Sequence, residues 1–487
     1  MKTTFVLLLC LFCILLPAVQ AADDGQINDK LIKKMKAGYE PTPSKEAAAN
    51  ALAANKVKDL ALNRDKLVER DPYFNYKLTT TGITNQKSSG RCWMFAGANI
   101  LSPIIKKNLD IDDFELSHTY LAFWDRLEKA NLFLEQIIEF RDLPLTDRKM
   151  ESTLSSPYGD GGWWHYFVGL TEKYGLVPVS AMPETYQSSA TGRINSLTNS
   201  KLRADAAELR RMHRDGKKVK QLRQRKEEMI AELYNFTALN FGQPPDEFTF
   251  RYETKDTTTA DSADTTKTES KSKSKSKKVI KSATFTPLSF YREFIGDRLP
   301  EFVALSDNPT KEYHTLYQGE WSRSIYEKSD FTMLNLPIEK LKDYCLTSLL
   351  DSQAVWFACD VGKDHFGDSG LLAVDIYEYD KLYDMDFKMT KAERLDYQDS
   401  WTSHAMAIVG VDTTDSGQPR KWLIKNSWGT KNGDKGYWTM YDDWFDEFLY
   451  IIILNKKYLT PEDLAKFDEK PVILPMWDVF SRALRKL

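Results

Sequence analysis

Cysteine and histidine are scarce here, at five and six among 487 residues. Cys10 and Cys13 fall in the first apolar run, which leaves Cys92, Cys345 and Cys359 for the rest of the chain. So few thiols exclude a disulfide scaffold, and their odd number leaves at least one free. Five of the histidines, at 118, 165, 213, 314 and 365, show no metal-ligand spacing, so neither a metal nor an organic cofactor is expected. Charge of one sign is lacking too. A net charge of −3 gives no global electrostatic reason to expect nucleic acid as the main partner. Beyond residue 21 no apolar run approaches the roughly 20 residues that cross a bilayer, so no membrane span is expected.

What is present is a large stock of core-forming side chains, 42% of the residues, enough for more than one ordinary domain. Residues 1–21 have the layout of a cleaved signal peptide. Lys2 supplies the charged start, residues 5–16 the apolar run, and Val19-Gln20-Ala21 a small-residue cleavage pattern. A secreted or periplasmic protein is expected. Residues 22–60 are rich in Ala and Lys and form an N-terminal arm and helix. Residues 61–190 make a helical subdomain, in which residues 114–140 carry apolar side chains at three- and four-residue intervals. Residues 191–345 are expected to be a helical insertion region, with charged helices around 202–212 and 219–233 separated by Asp215-Gly216. Within it, residues 254–282 include Glu269-Ser270-Lys271-Ser272-Lys273-Ser274-Lys275-Ser276-Lys277-Lys278 and are expected to be a disordered loop. Residues 346–455 read as a β subdomain, with 405–411 and 422–425 as buried strands, and 456–487 as a C-terminal arm with prolines at 461, 471 and 475.

The chemistry concentrates in three segments. In Gln86-Lys87-Ser88-Ser89-Gly90-Arg91-Cys92-Trp93-Met94-Phe95 a cysteine opens an apolar helical run, with Ser89 available as its N-cap. The positive end of the helix dipole favours thiolate, so Cys92 is expected to be largely ionised near neutral pH. Gln86 offers an amide donor for the oxyanion of an acyl-transfer intermediate. Far downstream, His404 begins the run to Val411 and Asn426 ends the run from Lys421, with Asp415, Ser416, Gly417 and Pro419 between them. That pattern is an antiparallel hairpin. Asp415 is equidistant from His404 and Asn426, so a turn without offset sets the two opposite each other, where an amide can hold an imidazole in one tautomer.

These segments resemble the papain clan of cysteine peptidases, and more closely the bleomycin hydrolase or aminopeptidase C family. The Ser88-Ser89-Gly90-Arg91-Cys92-Trp93 form, Asp160-Gly161-Gly162, Glu172-Lys173-Tyr174-Gly175, Ala354-Val355-Trp356-Phe357-Ala358-Cys359-Asp360, Asn426-Ser427-Trp428-Gly429 and Leu474-Pro475-Met476-Trp477-Asp478 carry the likeness through most of the chain. The resemblance implies a papain-like α+β fold of two subdomains, with helical insertions and a C-terminal arm. It implies Cys92 as nucleophile, His404 as general base and then acid, Asn426 as orienting amide, and Gln86 with the Cys92 N–H as oxyanion site. It also implies Trp428 as a shield over the His–Asn contact, and Gly161 and Gly162 as a close approach for substrate backbone. Peptide substrates and a homohexamer follow from the same likeness. So does an arm lying in the cleft, with Leu484 at the family's usual last position and residues 485–487 expected to be trimmed. The activity implied is removal of residues from peptide N-termini through a thioester. The alternatives are a papain-like endopeptidase, or a polyanion-binding protein working through the 271–281 lysines.

Overall fold

A computed structural model describes residues 25–255 and 278–480. The signal segment, residues 256–277 of the Lys/Ser-rich stretch and Leu484 lie outside the described residues. The loop expected over 254–282 is narrower than the composition suggests. Phe248–Lys255 and Lys278–Phe285 pair in register as an antiparallel hairpin that brackets the low-complexity stretch. Phe248, Phe250 and Phe285 anchor it in the core.

Period-two alternation builds the centre of the molecule. The strands Val355–Cys359, His404–Thr413 and Leu449–Asn455 lie in one mixed sheet, with Val355–Cys359 paired antiparallel to both of the others. Val355, Phe357, Cys359, Met406, Ile408 and Ile452 enter one core. Trp356, Ala358, Ala405, Ala407, Ile451 and Ile453 enter the other, on the face covered by helices. The small residues on that face let the buried helix Cys92–Leu109 approach the sheet closely. Against it pack His118–Glu139, which the apolar spacing of 114–140 predicts, and Trp164–Tyr174, while Gly192–Arg214 and Val219–Phe241 pack on His118–Glu139. Among the described residues no helix is long and apolar enough to cross a membrane.

Region 191–345 is helical only in part. Phe302–Ser306, Thr315–Gly319 and Thr332–Asn335 join the central sheet, and the arm strand Val472–Leu474 closes its edge in parallel with Thr315–Gly319. The N-terminal region contributes Asp29–Gly38 and Pro43–Ala54, neither of which buries a residue. Cys92, Cys345 and Cys359 are all free and buried.

The hairpin register differs from the symmetric one. Thr413 pairs with Pro419 and Ala407 with Lys425, so the turn is centred on Ser416, where Gly417 takes φ +82°. One irregularity near Thr413 and another between Ile408 and Gly410 compensate each other along the ladder. Continued by one step, the register sets Asn426 level with Met406 rather than His404. His404 lies two residues further along the same strand, hence on the same face, and the contact is diagonal.

Gly162 is buried, and a Cβ there would lie 2.6 Å from the Trp93 ring and 2.8 Å from Tyr166. Gly162→Ala should therefore lower stability by about 1–3 kcal/mol, since the two rings cannot retreat from a packed core. A lower denaturation midpoint with unchanged m-value checks this; an unchanged midpoint contradicts it.

Candidate active site

Cys92 is the first residue of its helix, and Arg91 is the N-cap, without a side-chain capping bond. Ser89 does not cap. Its hydroxyl donates to the Gln86 carbonyl at 2.6 Å and accepts from Arg91 Nε at 3.0 Å, so it braces the loop before the helix. The backbone N–H groups of Ala405, Trp93 and Cys92 itself are directed at the thiol and favour its anion. Burial outweighs them and pushes Cys92 up to about 12. Helix start and N–H donors do not by themselves ionise a thiol that is only 3% exposed, so its ionisation depends on a proton acceptor beside it.

His404 is equally buried, and burial drives it down to about 4 against the opposing hydrogen bond it donates to Asn426. Its Nε2 lies 2.9 Å from Asn426 Oδ1. An amide oxygen only accepts, so Nε2 carries the proton and Nδ1 holds the lone pair. Asn426 Oδ1 also accepts the Ser427 N–H at 2.7 Å, which fixes the amide's orientation. The Trp428 ring covers the imidazole with centroids 4.7 Å apart. A neutral thiol and a neutral imidazole can ionise here only together, by proton transfer between them.

The ends of both strands are pinned. Before His404, Asp360 accepts from Ser403 at 3.0 Å and Ser400 at 2.8 Å, while Ser403 N–H donates to the Cys359 carbonyl at 2.8 Å. Before Asn426, the buried Lys425 ammonium donates to the Thr81 carbonyl at 3.0 Å and hydroxyl at 2.9 Å.

Gln86 ties the two halves together. Its N–H donates to the Ser427 carbonyl at 2.8 Å, and its Oε1 accepts from the Ser427 hydroxyl at 2.7 Å. One Nε2 hydrogen goes to the Ser89 carbonyl at 2.7 Å, and the amide has a second to offer. The structure thus brings Gln86 to the Asn426-Ser427 segment, His404 to Asn426, and the backbone beside His404 to Cys92. Gly161 turns its carbonyl toward the part-buried Lys129 ammonium, and Gly162 is used for packing. Sequence reasoning missed Ser427, Asp360 and Glu184. Ser427 and Asp360 stand beside Asn426 and Cys359 in segments that carry the family likeness, whereas Glu184 carries no local signal.

The chain is similar to proteins already known. The Peptidase C1-like family profile matches residues 26–481. Aminopeptidase C of Lactobacillus delbrueckii subsp. lactis is 36% identical over 459 residues, spanning 93% of this chain and 97% of that protein. Aminopeptidase C of Streptococcus thermophilus is 36% identical over 454 residues, spanning 93% and 98%. The crystal structure of PepW from Lactobacillus rhamnosis HN001 superposes with a TM-score of 0.86 at 37% identity, covering 94% of this chain and 99% of that one. The chain belongs to the Peptidase C1-like family and is a cysteine peptidase of papain-like α+β fold.

Proposed function

We propose that the protein is a cysteine aminopeptidase in which Cys92, His404, Asn426 and Gln86 perform the chemistry. The observation that carries this is the 2.9 Å contact between His404 Nε2 and Asn426 Oδ1, on a strand whose next N–H faces the Cys92 thiol. His404 Nδ1 takes the thiol proton as Sγ attacks the scissile carbonyl carbon. The oxyanion is held by the Cys92 N–H and the free Gln86 Nε2 hydrogen. The tetrahedral intermediate collapses with cleavage of the C–N bond. The leaving amine takes the proton from His404, and the acyl group stays on sulfur as a thioester. A water then gives its proton to His404 and its oxygen to the acyl carbon, releasing the acid and the thiol.

Two findings support the exopeptidase mode over the endopeptidase alternative. The relatives named above are aminopeptidases. The C-terminal arm also runs toward the site: Trp477 stacks under Arg148 with its ring 4.5 Å from the guanidinium, and Asp478 pairs with Lys311 at 2.8 Å. Phe480 then lines a small pocket together with Trp163, Trp401 and Thr402, the last of these two residues from His404. In this reading Gly161 borders the substrate backbone, its buried neighbour Gly162 serves packing, and Leu484, outside the described residues, is assigned to face the substrate amine. Assembly as a homohexamer and export through residues 1–21 belong to the same proposal. Sedimentation velocity and N-terminal sequencing of the exported protein test them, with a monomer or a retained Met1 as the contrary results.

The catalytic ranking tests the reading directly. Asn426→Ala should reduce kcat about 10–100-fold, because His404 keeps its chemistry and loses its orientation, whereas His404→Ala should cost about 10⁴-fold. Steady-state kinetics on a fluorogenic aminoacyl amide measure both. Equal losses, or a milder effect at His404, contradict the assignment. Iodoacetamide should also alkylate Cys92 before Cys345 or Cys359, both of which are 0% exposed, with activity falling in proportion to occupancy at Cys92. Loss of activity while Cys92 remains unmodified is the contrary outcome.

A further inference from the structure

A buried arginine at the start of a helix breaks a local rule. Helix N-termini are positive and select Ser, Thr, Asp or Asn as cap, yet Arg91 is the N-cap here and is only 1% exposed. Its place is not explained by helix stability. A residue that contradicts local preference while fully ordered points to a role in the site.

The hydrogen bonds of Arg91 show what that role is. Its Nη1 and Nη2 donate to the two carboxylate oxygens of Glu184, each at 2.9 Å, in the bidentate geometry that fixes a guanidinium plane. Its Nε donates to Ser89 Oγ at 3.0 Å. Ser89 Oγ in turn donates to the Gln86 carbonyl, and the Ser89 carbonyl accepts from Gln86 Nε2. A chain of side-chain bonds thus runs from Glu184 through Arg91 and the Ser89 hydroxyl to the Gln86 backbone carbonyl, and the carbonyl of the same Ser89 holds the Gln86 side-chain amide. Its far end is anchored: Glu184 accepts from Ser188 Oγ at 2.7 Å, and Thr119 Oγ1 donates to the same hydroxyl at 3.2 Å. Thr185 ties the segment to the Asn240 carbonyl at 2.9 Å. Burial opposes the Glu184 charge, but the Arg91 guanidinium prevails and holds the carboxyl down to about 2, so the pair stays ionised across the working pH range. The opposite flank of the loop is held separately, by the Gly90 N–H to Asp160 at 2.9 Å.

We propose that Glu184 is a positioning residue for acyl transfer, acting through Arg91 and Ser89 to fix the Gln86 amide where the oxyanion forms. The proposal rests on the peptidase reading above. An oxyanion donor contributes only if it is already aimed when charge develops, so its value depends on the groups that hold it.

The test uses the full-length enzyme with Glu184→Gln and Ser89→Ala, each alone and combined with Gln86→Ala. Glu184→Gln keeps size but replaces one accepting oxygen with a donating NH2, which breaks the bidentate clamp on Arg91. Ser89→Ala leaves the buried ion pair intact, so a folded variant is available even if the first fails to fold. Either single substitution should lower kcat about 10–100-fold with KM within about threefold, and should leave iodoacetamide alkylation of Cys92, which forms no oxyanion, within about threefold. In the Gln86→Ala background the same substitutions should cost less than about threefold more, because the group they position is gone. Full additivity with Gln86→Ala, an unchanged kcat, or alkylation falling in step with kcat would each overturn the proposal. Wild-type enzyme without Cys92-dependent turnover instead overturns the peptidase reading itself, and the proposal falls with it.

Discussion

Cys92→Ala is expected to abolish hydrolysis, with kcat/KM falling roughly 10⁴–10⁶-fold while peptide affinity is kept. The reasoning starts from burial. The thiol lies at about 12 and the imidazole at about 4, so neither ionises alone near neutrality. Reaction requires the sulfur to pass its proton to His404 as the C–S bond forms, and among the described residues the other two thiols are not placed to substitute. Cys345 and Cys359 lie in the core on the far side of the sheet, and burial raises both thiols well above their ordinary range. Cys92→Ser should be nearly as damaging, because a hydroxyl is much harder to deprotonate with the same imidazole. Equilibrium binding of an uncleaved peptide to Cys92→Ala, with a Kd close to the wild-type KM, separates lost chemistry from lost folding. Normal turnover by either variant contradicts the mechanism.

The second large effect concerns acid. His118 stacks on Phe95 at 3.6 Å and His165 on Phe331 at 4.3 Å, and burial drives both down to about 3. His404 is driven down to about 4 for the same reason. In the unfolded chain each titrates near 6.5. Above that pH both states are neutral and nothing is lost. As pH falls below it, the unfolded chain takes up protons that the folded one refuses, so stability declines until pH reaches the folded value. Each histidine then accounts for a loss of about 2 kcal/mol between pH 7.5 and 5. Asp125 and Asp364 act in the opposite sense, since burial raises both to about 6 and the folded state binds their protons more readily. A difference measurement removes them. His165→Gln keeps a donor for the Ser322 carbonyl, which His165 Nε2 meets at 3.0 Å, and does not titrate. The fall in unfolding free energy from pH 7.5 to 5 should be about 2 kcal/mol smaller in this variant than in wild type. Equal pH dependence contradicts a buried neutral His165.

The sequence exposes those parts of this molecule whose signals are local. Cys92 at the head of an apolar run, His404 before a strand and Asn426 at the end of another are each legible in a short window. The long charged helices Gly192–Arg214 and Val219–Phe241 show their period and the Asp215-Gly216 break between them. The strands Phe302–Ser306, Thr315–Gly319 and Thr332–Asn335 stay hidden, because they are only four or five residues long and their partners are distant. The hairpin register slips from the symmetric one because irregularities and turn centres follow side-chain packing rather than residue counting. The groups that hold the site are the least visible. Glu184 meets Arg91 across 93 positions and Asp160 meets Gly90 across 70, and nothing in either window announces the pair.

Whether the protein is a Cys92-dependent aminopeptidase is decided by one comparison. A fluorogenic aminoacyl amide with a free α-amine is assayed beside the same compound N-acetylated, using wild type and Cys92→Ala. Rapid release is expected from the free amine, little from the blocked compound and none from the variant. Equal or faster cleavage of the blocked compound by wild type, or release that survives Cys92→Ala, would contradict that reading.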